Sequence, residues 1–123
     1  MGYYVIMDLY AEIEGKHDEA ALSAINGLGC GDWVDGGGKF TDLVDAIDSW
    51  RYAAKRLRGG MVEISEFVGQ KWGDDEKFWQ ALAPYITDGG CVTCHGEDGE
   101  QWQYVFANGK MKTYRRSAEW VEE

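Results

Sequence analysis

Proline occurs once in these 123 residues and histidine twice, and neither half of the chain carries net positive charge. With one proline against seventeen glycines, turns must be made by Gly paired with Asn or Asp, which favours tight hairpins. Three cysteines are an odd number, so a fully paired disulfide framework is excluded and a reducing compartment is expected. No apolar run approaches the roughly 18 residues that a membrane helix needs. The opening "MGYYVIMDLYAEIEG" lacks the basic region of a secretory signal, so the sequence reads as cytosolic. Gly2 does not read as a myristoylation site, because Ile6 stands where Ser or Thr is favoured. A net charge of −10 disfavours direct contact with nucleic acid or anionic lipid.

What the chain does have is apolar and aromatic mass: 45% hydrophobic and 14% aromatic residues. That suffices for one folded domain over 1–123, burying roughly two-thirds of the surface that the unfolded chain exposes. The acidity is uneven, since residues 1–50 hold ten acids against only Lys16 and Lys39. Such a surface favours encounter with basic partners, and it also simply keeps a protein in solution.

Period-two alternation sets Tyr3, Val5, Met7, Leu9, Ala11 and Ile13 on one face of a first strand, opposite Tyr4, Ile6, Asp8, Tyr10, Glu12 and Glu14. A short helix is expected from Asp18 to about Ile25, and Gly27 ends it. "GLGCGDWVDGGGK" reads as a loop, and it lacks the spacing of a phosphate-binding loop. Thr41 is expected to cap a long helix from Asp42 to about Leu57, with Leu43, Val44, Ile47, Trp50, Ala54 and Leu57 as its apolar stripe and Lys55, Arg56 and Arg58 in its last turn. "MVEISEFVG" resumes a strand whose broken alternation between Ile64 and Phe67 suggests a bulge or an edge position. Asp74 is placed to cap a third helix, which Pro84 brings to an end. Asp98-Gly99 and Asn108-Gly109 then mark a three-stranded meander with Trp102, Tyr104 and Phe106 on its core face. The expected fold is α+β, related to the ferredoxin-like arrangement: about five mainly antiparallel strands with three helices on one face, in the order β-α-α-β-α-β-β-β.

Three constellations bear on chemistry. "CVTCH", Cys91 to His95, matches the attachment pattern of c-type haem, but it sits on an expected strand in a chain without an export signal. Cys30, Cys91, Cys94 and His95 could make up a Cys3His zinc set, but adjacent Cys94 and His95 should point to opposite strand faces. The plain reading is structural thiols beside a surface histidine, with no cofactor. Neither His17 nor His95 lies in a pattern that names a nucleophile or an oriented base, so no enzymatic activity is expected. The third constellation is acidic: Asp32, Asp35, Asp42, Asp45 and Asp48 crowd a stretch whose only base is Lys39, and such a face can imitate spaced phosphates.

"VGQKWGDDEKFWQALAPYITDGG" and "GEDGEQWQYVFANGK" resemble small accessory proteins carried by bacterial viruses and their hosts, over roughly residues 61–112. The matched pattern is W-x-[WY]-x-F after a GEDG turn, here Trp102, Tyr104 and Phe106. The resemblance implies a virus-linked protein of the host cytosol and brings no catalytic residues with it. The expectation is therefore a non-enzymatic acidic binding protein that inhibits a host or defence protein by charge mimicry, with Asp32, Trp33, Asp35, Asp42, Asp45, Asp48, Tyr4 and Tyr10 meeting a basic protein surface. If no helix covers the first strand, its Tyr4, Ile6 and Tyr10 form an apolar contact patch that would also suit a homodimer. The alternatives are a small-molecule or nucleotide sponge built on the glycine-rich loop around Trp33, and a metal or haem protein.

Overall fold

A computed structural model of the chain describes residues 3–28, 40–69, 71–72, 75–116 and 120–122. Strand β1 (Tyr3–Ile13) buries Val5, Ala11 and Ile13 as its alternation requires. A 3-10 turn over Gly15–His17 leads into helix α1 (Asp18–Gly27), which has Asp18 and Glu19 in its first turn and buries Ala21 and Ile25.

Helix α2 runs only over Leu43–Ser49, which corrects the expected helix to Leu57. Its N-cap is Asp42, whose side chain accepts a hydrogen bond from the Asp45 N–H at 3.2 Å; Thr41 does not cap it. Arg51 takes a left-handed conformation (φ 74°) and turns the chain into strand β2 (Tyr52–Arg56). "YAAKR" is a good helix former locally, so tertiary packing overrides propensity here. As a strand it swings the Tyr52 ring fully inside, stacked on Phe78 at 5.0 Å and edge-on to Trp79 at 5.1 Å. Lys55 and Arg56 thus do not stand in the last turn of a helix. Lys55 pairs with Glu63 at 3.5 Å, and Arg56 reaches Asp18 at 3.0 Å.

Gly59 and Gly60, both with φ near +90°, turn β2 into strand β3 (Val62–Phe67). Ala53 pairs Glu66 while Ala54 pairs Ile64, so Ser65 is an extra residue: the bulge that the broken alternation suggested. Strand β4 (Lys71–Trp72) rejoins β1, and helix α3 (Asp75–Leu82) follows. Asp74, the expected cap of α3, lies outside the described residues. Pro84 sits in a 3-10 turn over Ala83–Tyr85 that ends the helix.

The last strands, β5 (Cys91–Gly96), β6 (Gln101–Ala107) and β7 (Lys110–Arg116), form the meander, and β8 (Trp120–Glu122) pairs with β7. Asn108 and Gly109 both take positive φ, the geometry of a two-residue hairpin turn. Every pairing is antiparallel, and the order is β2-β3-β1-β5-β6-β7-β8, with β4 also on β1. The α+β architecture stands. About five strands were expected; the added elements are β2, read as helix, and the short β4 and β8.

The buried side chains of α1, α2 and α3 meet one face of this sheet. Phe78 and Trp79 of α3 are the hub, touching Trp50, Tyr52 and Phe106. Tyr104 and Phe106 are buried beside them, with Trp102 packed at the margin. Among the described residues one charged side chain is enclosed there, Asp75, which has no exposed surface. The Tyr52 hydroxyl donates to its carboxylate at 2.6 Å and accepts from Trp79 Nε1 at 3.0 Å, and the Arg51 guanidinium lies 3.9 Å from it. Burial, reinforced by the neighbouring Asp75 charge, pushes the Tyr52 phenol well above its ordinary pKa. Among the described residues no helix is long and apolar enough to cross a membrane.

Candidate functional site

Because the helices all pack on one side, even-numbered β1 residues look outward from the opposite face. Their side chains are exposed: Tyr4 48%, Ile6 73% and Tyr10 45%. The register places Ile6 opposite His95, Asp8 opposite Thr93 and Tyr10 opposite Cys91. Beyond β5 the face continues through Gln101, Gln103 and Val105 of β6 to Lys112 and Tyr114 of β7.

Acids frame the apolar row. Glu12 and Glu63 stand directly opposite each other, an arrangement that is unfavourable for like charges on its own. The Tyr10 hydroxyl lies within hydrogen-bond reach of both carboxylates, close to Glu12 and 3.1 Å from Glu63. The Glu12 contact, with Glu63 adding to it, drives the Tyr10 phenol far above its ordinary pKa. At the other end of the row the Tyr4 carbonyl accepts from the Glu97 N–H at 3.1 Å. Asp8 lies between, its carboxylate 3.4 Å from His95 Nε2. The β1 half of this face is therefore apolar and acidic, while Lys110, Lys112 and Arg116 make the β7 margin basic.

β1 also bounds a gap. It pairs with β3 at Ala11–Ile13 and with β4 at Tyr3 and Tyr4, in the same register at both places. Between them the Ser65 bulge bends the facing strand away, and the chain returns without slipping. The far wall of this notch is held by the Val68 N–H donating to the Arg51 carbonyl at 2.8 Å. Gly69 packs closely in that wall: a Cβ there would lie 2.8 Å from the Phe67 ring and would have to displace it.

The sequence-derived site residues separate. Tyr4 and Tyr10 share the open sheet face. Asp45 and Asp48 are exposed on α2, on the other side of the two-layer structure. Asp42 is committed to capping α2 and lies 3.4 Å from Arg56. Asp32, Trp33, Asp35 and Cys30 lie outside the described residues. Cys91 and His95 look out from the open face while Cys94 is fully buried beneath it, so Cys94 and His95 cannot turn to one metal ion. Burial, above all, raises the Cys94 thiol well above its usual range. Cys91 and His95, four residues apart on one strand, are separated by roughly 13 Å, too far for a thiolate–imidazole pair. Sequence reasoning did not single out Glu66, Gly69 or Glu97; only the broken alternation near Ser65 hinted at the notch.

No protein-family model, no curated protein and no solved structure matches the chain.

Proposed function

We propose that the chain is a non-enzymatic binding protein whose partner presents a basic surface and docks on the open face of β1. The observation that carries this reading is the exposed row Tyr4, Ile6 and Tyr10, flanked by Asp8, Glu12, Glu63 and Glu97. Exposed apolar side chains supply the desolvated centre of an interface, and surrounding charges of one sign steer a partner of the other sign and fix its register. The exposed α2 acids Asp45 and Asp48 add to the long-range field from the far side of the molecule rather than to the contact itself. The likeness to small proteins of bacterial viruses makes a host or defence protein that handles nucleic acid the class of partner, inhibited by occupation of its basic surface.

The test is parallel capture from bacterial lysate by the wild-type chain and by an Ile6→Glu/Asp8→Lys double variant, over a series of salt concentrations. Basic proteins should be held by the wild type, released as salt rises, and lost by the variant. Equal retention by the variant would overturn the reading.

A further inference from the structure

Over the notch between β1 and the bulged segment lies an open cleft of about 540 Å³. That volume lies within the range of small-molecule sites, roughly 300–1,000 Å³. Its base is apolar, with Val5, Met7 and Phe67, and it opens on the uncovered face between Tyr4 and Ile6. Two carboxylates line it from opposite sides of β1, Glu66 on the bulged wall and Glu97 on the β5 side, where it accepts from the Tyr4 N–H at 3.3 Å, and His95, also on the β5 side, is held by its 3.4 Å contact with Asp8.

The main chain contributes as well. Tyr4 and Glu12 turn their carbonyls toward the β5 side, accepting from Glu97 and Thr87. Backbone groups alternate sides along a strand, so Val5 and Met7 turn their N–H and C=O groups toward the notch. The wall opposite is built with strain and close packing: Arg51 is held at φ 74°, and any side chain at position 69 would have to displace the Phe67 ring. A sheet that only needed to close could have continued the shared register without this detour.

We infer that the notch is a binding site for a small organic cation with an apolar body, whose body rests on Met7 and Phe67 and whose charged head meets Glu66 and Glu97. The apolar base selects the body, and the carboxylates with the inward-turned carbonyls accept hydrogen bonds from an ammonium or guanidinium group. This goes beyond the docking reading, since it concerns a ligand of the isolated chain and needs no partner.

The experiment titrates the purified full chain with three probes of one shape, 4-phenylbutylamine, 4-phenylbutanol and 4-phenylbutyrate, following backbone amide shifts by NMR. The amine should move the amides of Ile6, Met7, Gly69 and Gly96 and bind at least about tenfold more tightly than the alcohol, with the acid weakest. Glu66→Gln/Glu97→Gln should remove the preference for the amine, while Asp45→Asn on α2 leaves it unchanged. Gln at position 97 keeps a side-chain acceptor for the Tyr4 N–H, so the fold is preserved. Equal binding of amine and alcohol, shifts confined to other surfaces, or a preference that survives the double variant would each overturn the inference. None of these outcomes depends on whether a protein partner is captured.

Discussion

Arg56 of β2 lies 3.4 Å from Asp42, the residue that caps α2, and 3.0 Å from Asp18 at the start of α1. One guanidinium thus joins two helix N-termini to a strand, and this gives Asp42 a structural duty that its neighbours Asp45 and Asp48 do not share. Asp42→Ala should lower stability by about 1 kcal/mol through loss of the cap. Asp45→Lys and Asp48→Lys, at exposed positions, should stay within about 0.5 kcal/mol of the wild type. Urea unfolding of the three variants checks the contrast.

Tyr52 donates to the enclosed carboxylate of Asp75, and Trp79 donates in turn to Tyr52. Tyr52→Phe keeps the ring stacking but leaves that carboxylate short of a donor. A hydrogen bond to a charged group contributes roughly 1.5–3 kcal/mol, so Tyr52→Phe should cost an amount of that order. Phe at position 52 with Asn at position 75 should recover part of the loss, because the buried charge is then gone. Thermal and urea midpoints of the single and double variants measure it.

Cys94, Tyr52 and Tyr104 all have their acidic protons held more tightly in the folded chain, in each case chiefly through burial. As pH rises the unfolded chain gives up these protons first, so the folded state is progressively disfavoured. Stability should be full at neutral pH, decline through the ordinary thiol range near about 8.5, and fall more steeply near about 10. Cys94→Ala should remove the part of the loss that begins in the thiol range. Unfolding midpoints that do not change between pH 7 and 10.5 would contradict the burial of these groups.

How much of this was legible in the sequence depended on whether the cause was local. The β6–β7 hairpin was readable because Asn108-Gly109 is itself the turn. β1 was readable because alternation alone divides Val5 and Ile13 from Tyr4 and Ile6, and it already named the apolar patch. β2 was not, because nothing local in "YAAKR" opposes a helix; the deciding force is the burial of Tyr52 against Phe78 and Trp79 from a distant helix. That error carried the acidic stretch with it, since a long helix would have aligned Asp42, Asp45 and Asp48 as one face with no strand cation pinning the first. The notch was hidden for a different reason. It arises from equal register at two separate places on β1, a relation between strands that no single segment records.

Gly69 offers a check on the notch wall that needs no ligand. Gly69→Ala must displace the Phe67 ring, which packs on Tyr52 at 5.1 Å. Overpacking of this kind costs roughly 1–3 kcal/mol. Gly27→Ala, with open space around the added methyl, should cost little by comparison. Equal midpoints for the two variants would show that the wall is not built as described.

On the proposed reading the partner covers the open face of β1 and not the helical layer. Hydroxyl-radical footprinting of the chain, alone and saturated with its captured partner, tests this most directly because it reads side chains on both faces at once. Tyr4, Ile6 and Tyr10 should lose most of their oxidation in the complex while Leu22 and Val44 of the helices keep theirs. Protection of Leu22 and Val44, with Tyr4, Ile6 and Tyr10 still oxidised as in the free chain, would contradict the account.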